Sequence, residues 1–226
     1  MTELPARSKD GSVHVTDERI NTLSHLVATC FALLGGAVLI TQAATTGDPW
    51  RIIGASIYSA SLVILFACST LHHGLTLGER RDALLRTLDY TAVFGLIAGT
   101  VTPLVLVDVR TAFGWAVLGT VWAIAIGGIV ARSVRRDLPK EITNTLYIVL
   151  GWMPVALLAG GVTFSPGMIA LLAAGGLVYS AGFVIFILER PNPWPGVLGF
   201  HEIWHLLVAL AAALHWVMVA AYVIPA

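Results

Sequence analysis

The chain has 226 residues, of which 57% are hydrophobic and only 12% are charged, and its mean hydropathy is +0.84. Globular proteins average about 25% charged residues, so this composition excludes an ordinary soluble fold and indicates that lipid surrounds most of the chain. The formal net charge is zero, which argues against nucleic acid as a partner.

The first 20 residues are polar and lack the order of a cleavable signal peptide. We therefore predict two regions: a short, mobile tail over residues 1–20 and a helical membrane domain over residues 21–226.

Seven apolar stretches follow the tail, separated by short loops that contain glycine and proline. A bilayer core about 30 Å thick requires roughly 20 apolar residues per helix, which is close to the length of each stretch. The chain is therefore predicted to be an all-α, seven-transmembrane helix bundle. The predicted spans are Asn21–Thr45, Arg51–His73, Thr87–Val107, Ala112–Arg132, Ile142–Gly161, Pro166–Leu188 and Phe200–Val223.

The lysines and arginines indicate the orientation of this bundle, because successive loops alternate between the two faces of the membrane. With seven spans, every lysine and arginine except Arg51 and Arg110 falls on the side of the tail. Six or eight spans would move whole clusters to the other side. By the positive-inside rule the N-terminus is cytoplasmic and the C-terminus lies outside.

Two histidines, His201 and His205, lie four residues apart at the start of the last span. On a helix such residues share one face about one turn apart, so both rings can reach a single ion. Imidazole suits Zn²⁺, and a catalytic zinc site has three protein ligands and a water. The pair therefore predicts a zinc site that needs one more ligand.

The predicted topology supplies that ligand. Span two ends at the cytoplasmic face with His73, span three begins there with Asp89, and span seven begins there with His201 and His205. We predict that His73, His201 and His205 bind Zn²⁺ and that Asp89 lies beside the water position. In such a site the metal lowers the pKa of the water to about 7.

Several of the polar residues also have other interpretations. Asp89 could cap its helix or pair with Arg86, and Ser69 could bond to its own helix backbone or orient His73 or the water. The adjacent histidines His72 and His73 point about 100° apart, so one of them is expected to face the bundle. His14 is interpreted as a surface residue. The sequence leaves open whether four further residues take part: His25, His72, Glu202 and His215.

Read together, these residues resemble a known family. Ser69-x-x-x-His73, Leu88-Asp89-Tyr90 and His201-x-x-x-His205 resemble three signatures of the progestin and adipoQ receptor family. Further segments resemble its bacterial branch, the hemolysin III proteins: Glu18–His25, Ala98–Pro103, Gly175–Tyr179 and Gly199–His205. The resemblance covers nearly the whole chain from Glu18 onward.

The resemblance implies a multi-pass protein of the bacterial plasma (inner) membrane, with zinc bound near the cytoplasmic side by His73, His201 and His205. It also implies that Asp89 lies near the zinc-bound water and that Ser69 is part of the site. The related family is thought to include membrane hydrolases that cleave lipid amides, ceramide in particular. The chain lacks the family's long N-terminal domain, which weighs against a receptor for a protein hormone.

The leading hypothesis is a zinc-dependent hydrolase of a lipid amide or ester that enters from the bilayer, with Asp89 as general base and Ser69 in support. A second hypothesis treats His201-Glu202-x-x-His205 as a zinc peptidase motif with Glu202 as the base. A third is a non-enzymatic membrane protein, acting in cytolysis or lipid sensing, with a structural zinc. Glycine pairs such as Gly35-Gly36 permit close helix packing, so a homo-oligomer is left open.

Overall fold

The computed structural model of this protein describes residues 8–135 and 138–225. Within these ranges the chain forms seven helices that are long and apolar enough to cross a membrane, and no β-strand, which confirms the predicted all-α bundle. The helices are α1 (Glu18–Thr46), α2 (Pro49–Gly74), α3 (Glu79–Pro103, continued by a π-helical turn over Leu104–Asp108), α4 (Ala112–Val134), α5 (Lys140–Trp152, continued by a 3-10 turn over Met153–Ala159), α6 (Pro166–Leu188) and α7 (Phe200–Met218, continued by a π-helical turn over Val219–Val223).

Polar side chains and prolines define where these helices begin. Pro49 and Pro166 occupy the first turns of α2 and α6, where the missing N–H costs nothing. Four helices have a capping side chain that accepts a hydrogen bond from a backbone N–H in the first turn: Asp17 (α1), Asp48 (α2), Thr111 (α4) and Ser165 (α6).

Two helix boundaries differ from the predicted spans for identifiable reasons. Helix α3 begins at Glu79 rather than Thr87, because its charged first turns are good helix formers although they are not apolar. Glu79 and Asp82 also lie at the positive end of the helix dipole. Helix α5 changes to a 3-10 turn after Trp152, where Pro154 has no N–H to donate.

Helices α2 and α3 form the centre of the bundle. Tyr58, Phe94 and Val101 of these helices are at most 1% exposed. Helix α1 packs along α2 and also contacts α7, α4 packs on α3, and α6 lies mainly against α7. Helix α5 contacts α3 and α4 but touches α6 only sparingly, which leaves a gap between α5 and α6.

The outer surface of the bundle is apolar. On α1 alone, Leu23 is 58% exposed, Phe31 70% and Leu34 67%. Soluble monomers rarely expose contiguous apolar patches larger than a few hundred Å², so this surface matches the hydrocarbon of a bilayer.

The N-terminal segment, residues 8–17, lies against one end of the bundle. Sequence analysis places it in a mobile tail, but Ser8, Asp10 and Ser12 are each only 5–6% exposed. Residues 1–7 of that tail lie outside the described ranges, as does Arg136, one of the charges used to predict the orientation. The segment covers the end of the bundle where α2 ends and α7 begins, here called the histidine end.

Candidate metal centre

Three histidines meet at the histidine end. His73 comes from the last turn of α2, and His201 and His205 come from the first turns of α7. Each offers one ring nitrogen, and the three nitrogens lie within 4.8 Å of one another. All three residues are at most 3% exposed. The predicted ligands are thus brought together by the fold, in a group that could hold a metal ion.

Hydrogen bonds fix two of these rings. The Nδ1 atom of His73 lies 2.6 Å from a carboxylate oxygen of Glu18, and Nδ1 of His205 donates to the carbonyl oxygen of Asn21 over 3.3 Å. In metal sites the second ring nitrogen is held in this way, which sets the tautomer and leaves Nε2 free for the ion. Both partners lie in the first turns of α1.

The donor set fits a metal ion on a further observation. Buried polar atoms nearly always have a hydrogen-bond partner. Here several buried atoms, each aimed into the cluster or lying beside it, have no partner of acceptable geometry: His73 Nε2, both ring nitrogens of His201, and Asp10 Oδ2. Neutral imidazole nitrogens and a carboxylate oxygen suit Zn²⁺ and related divalent ions.

Asp10 of the N-terminal segment is the group that sequence analysis did not predict. Its Oδ2 lies 3.1 Å from His201 Nε2, and its Oδ1 lies 3.3 Å from His72 Nε2 and accepts a hydrogen bond of 3.1 Å from the Tyr90 hydroxyl. Burial by itself would raise the pKa of Asp10, but the imidazoles of His201, His72 and His73 outweigh burial and lower that pKa. Asp10 is therefore an ionised carboxylate inside the cluster.

Asp89 and Ser69, the predicted catalytic residues, lie on the bundle side of the cluster. Both line the same cavity as His201 and His205. Ser69 is 2% exposed, one turn before His73 on α2, and Asp89 is partly buried near the start of α3. Their placement suits the predicted roles, and those roles stay predictions.

Glu202, by contrast, is held as a structural group. Its Oε2 accepts a hydrogen bond of 2.7 Å from the Gly199 N–H at the start of α7, and its Oε1 accepts one of 2.6 Å from the Asp17 N–H. Glu202 is 1% exposed. The Asn21 side-chain amide also donates to Oε1 over 3.4 Å. The Glu202 carboxylate therefore joins the start of α1 to the start of α7.

The remaining histidines surround the cluster or lie apart from it. His25 stacks on His205 with ring centroids 3.8 Å apart, and His72 contacts Asp10. His215 lies farther along α7, where its Nε2 is 3.3 Å from the Leu172 carbonyl oxygen. His14 lies at the rim, 3.9 Å from the carboxylate of Glu189.

A cavity of about 190 Å³ extends from the cluster into the bundle. Its walls come mainly from α2, α3, α5, α6 and α7, with His25 of α1 and Arg132 of α4, and they are mostly apolar. Gly151 and Trp152 of α5 also line it and are exposed. The cavity thus reaches the gap between α5 and α6, on the side of the bundle that faces lipid.

Sequence reasoning missed Asp10 as a site residue and did not give Glu18 a role. Glu18 carries a signal, since it opens the segment that resembles the hemolysin III motif. Asp10 carries none, because a Lys-Asp-Gly run in a polar tail is typical of an ordinary turn.

Comparisons with known proteins place the chain in a family. A family model described as "Haemolysin-III related" matches residues 13–216. The chain is 32% identical over 215 residues to Hemolysin-3 of Bacillus cereus, covering 93% of this chain and 94% of that protein. It is 30% identical over 197 residues to the Hemolysin-3 homolog of Bacillus subtilis, covering 86% and 88%.

A more distant relative is the human monocyte to macrophage differentiation factor, 28% identical over 210 residues, with 89% of this chain and 82% of that protein covered. The match to the family model spans most of the bundle and includes His73, His201 and His205. The chain therefore belongs to the haemolysin III family and is a multi-pass membrane protein.

Proposed function

We propose that this protein is a zinc-dependent membrane hydrolase that cleaves an amide or ester bond of a lipid, as a ceramidase does. The observation that carries the proposal is the buried group of His73, His201 and His205, of which His201 and His205 line an apolar cavity. Asp89 and Ser69 line the same cavity, so groups that can move a proton lie where a lipid carbonyl would enter.

Each polar residue of the site has a proposed role. Zinc, when bound, polarises a carbonyl and lowers the pKa of a coordinated water to about 7. The hydrogen bonds that His73 and His205 donate to Glu18 and to the Asn21 carbonyl oxygen keep their rings oriented toward the ion. Asp89 accepts the proton of the attacking water and returns it to the leaving group. Ser69 donates a hydrogen bond that orients His73 or the attacking water.

The cavity supports a lipid substrate rather than a soluble one. Its aromatic and aliphatic walls bury acyl chains, and its opening between α5 and α6 faces the bilayer. A lipid can therefore enter sideways without leaving the hydrocarbon layer. The distribution of lysine and arginine supports a cytoplasmic position for the histidine end and the N-terminus. The similarity to Bacillus proteins supports a bacterial inner membrane as the location.

Purified protein reconstituted in lipid nanodiscs tests the proposal. The wild type should contain one zinc per chain and release fatty acid from a fluorescent ceramide or from its ester analogue. His205→Ala should lose zinc and turnover, whereas Asp89→Asn should keep zinc and lose at least ~100-fold in turnover, as expected for a general base. His14→Ala, which removes a histidine at the rim, is the matched control. Absence of zinc from the wild type, or full turnover in Asp89→Asn, would reject the proposal.

The peptidase hypothesis is disfavoured by the contacts of Glu202. Both carboxylate oxygens already accept hydrogen bonds from backbone N–H groups, so neither is free to activate a water. Among folded, metal-loaded molecules, Glu202→Gln should keep lipid turnover. Peptide cleavage by the wild type that Glu202→Gln abolishes would reverse this preference.

One observation favours a second candidate, a non-enzymatic haemolysin III protein with a structural zinc. Structural zinc sites have four protein ligands, whereas catalytic sites keep one position open. Asp10 lies beside His201 as a carboxylate that could fill that position. Two results together would favour this candidate. The bundle would unfold when zinc is removed, and no form of the protein would hydrolyse lipid.

A further inference from the structure

The N-terminal segment is attached to the histidine end by several specific contacts. The Lys9 ammonium group donates to the carbonyl oxygens of His72, His73 and Leu75 at the end of α2, over 3.1, 2.9 and 2.7 Å. These carbonyls have no partner within the helix, and a cation at a helix C-terminus also meets the negative end of the dipole. Lys9 therefore fixes the segment directly above the cluster.

A second attachment lies farther along the same segment. The Ser12 hydroxyl donates a 2.7 Å hydrogen bond to the carboxylate of Glu189, and the Asp17 N–H donates to Glu202. The segment is thus joined to α2, to the end of α6 and to α7. Asp10 lies between these attachments and is held in one place.

The position of Asp10 corresponds to that of a metal ligand. Asp10, His72 and His73 form a second group of donors within 4.8 Å of one another, and this group shares His73 with the three-histidine group. Asp10 Oδ2 is buried without a hydrogen-bond partner, and so is the His201 Nε2 that it approaches. A carboxylate oxygen is an ordinary zinc ligand.

Charge balance supports the same conclusion. A buried carboxylate is stable only beside compensating positive charge. Histidines that ligate a metal are neutral, so in the metal-bound protein they cannot supply that charge. The ion then supplies positive charge beside Oδ2, while Oδ1 lies against His72, an imidazole outside the three-histidine group.

We propose that Asp10 is a fourth ligand of the three-histidine site, and that residues 8–17 close the site by placing this carboxylate where the reactive water must bind. This inference rests on the proposed function only in its second half: if the protein is a hydrolase, the segment must move away before water and substrate can enter. The closed form is then an inhibited state that the chain supplies from its own N-terminus.

Cobalt substitution tests the ligand directly and does not depend on activity. Full-length protein is loaded with Co²⁺ in nanodiscs, and the visible spectrum is followed from about pH 6 to 9 and during titration with azide. In the wild type we expect a spectrum that changes neither with pH nor on addition of azide, because no water is coordinated to the metal. In Asp10→Asn we expect a transition near pH 7, as for a metal-bound water, and a shift on azide binding.

Metal release gives a second measurement. Asp10→Asn should release the ion to a chelator at least ~10–100-fold faster. Mutation of residues that only hold metal ligands in place already lowers metal affinity by about this factor. Asp48→Asn is the matched control, since Asp48 caps the other end of α2. If Asp10→Asn fails to fold, Lys9→Ala is used instead, because it keeps Asp10 and loosens the segment. It should show a smaller change in the same direction.

The outcomes separate this inference from the proposed function. A wild-type spectrum that shifts with azide as much as that of Asp10→Asn would overturn the ligand role. A difference between the two spectra with no ceramide turnover in either protein supports Asp10 as a ligand and rejects the hydrolase. Faster ceramide turnover in Asp10→Asn together with that difference supports both, and turnover lost in Asp10→Asn would overturn the inhibitory role.

Discussion

Glu18 Oε2 lies 2.6 Å from Nδ1 of His73, and this contact joins the first turn of α1 to the last turn of α2. His73 is buried, whereas the Glu18 side chain is 28% exposed and reaches the ring from the edge of the cluster. The carboxylate accepts a hydrogen bond from the Nδ1–H group and so directs Nε2 toward His201 and His205. Glu18 is thereby a positioning residue for the metal centre.

Replacement of this carboxylate should weaken metal binding. Glu18→Gln keeps the size of the side chain but removes its charge, and we expect zinc affinity to fall by about 10–100-fold. Competition with a chromogenic chelator measures this change. Glu141→Gln, an exposed residue at the start of α5, is the matched control. Equal affinities of Glu18→Gln and the wild type would contradict a role for Glu18 in orienting His73.

The spans and the three histidines could be predicted because each depends on a local pattern. Apolar runs must match the thickness of the bilayer, and the spacing of His201 and His205 follows from helical periodicity. The alternation of seven spans, which the charge bias supports, then predicts which helix ends lie together, and this places His73 beside the pair.

Asp10 and the contacts of Glu202 could not be predicted in the same way. Asp10 reaches His201 across most of the length of the chain, through an irregular segment whose path depends on anchors such as Lys9. Glu202 has a sequence context that suggests a catalytic base. Its bond to Gly199 is a local helix cap, but its partners Asp17 and Asn21 come close only because α1 packs on α7. Tertiary contacts between polar residues leave no periodic signal.

His25 and His205 provide a prediction about packing. Their rings are parallel to within 10° with centroids 3.8 Å apart, and His25 also meets the edge of Phe66. His25→Phe should keep the stack and the bound metal. His25→Ala should lower the free energy of unfolding by at least the roughly 0.5–1.5 kcal/mol of an aromatic pair.

Unfolding of both variants in detergent, with metal content measured in parallel, checks this prediction. Loss of zinc from His25→Phe while the protein remains folded would show instead that His25 binds the ion.

Glu202 provides a prediction about stability. In Glu202→Gln the amide has one oxygen for two backbone donors, so one buried N–H, of Gly199 or Asp17, loses its acceptor. A buried donor without a partner costs about 1–3 kcal/mol. We expect Glu202→Gln to unfold at lower denaturant concentration than the wild type. Asp82→Asn, an equivalent change in the first turn of α3, should have a smaller effect, and equal losses in the two variants would contradict the clamp role of Glu202.

The cavity provides the last prediction, through a glycine in its wall. Gly176 of α6 lines the cavity, and a Cβ added there meets no atom within 4 Å. Gly176→Leu should therefore fold, because leucine is a better helix former than glycine by up to about 1 kcal/mol. The new side chain would extend into the space that a lipid chain would occupy.

We expect Gly176→Leu to retain zinc and to lose at least ~10-fold in ceramide turnover, since the passage from the α5–α6 gap to the histidines is narrowed. Gly127→Leu is the matched control: its Cβ also meets nothing within 4 Å, and it lies on α4, outside the cavity wall. Turnover and metal content measured on the two variants side by side separate a blocked passage from a general effect of the substitution. Unchanged turnover in Gly176→Leu would mean that the lipid reaches the metal centre by another route, because a leucine in this wall cannot coexist with an acyl chain in the same space.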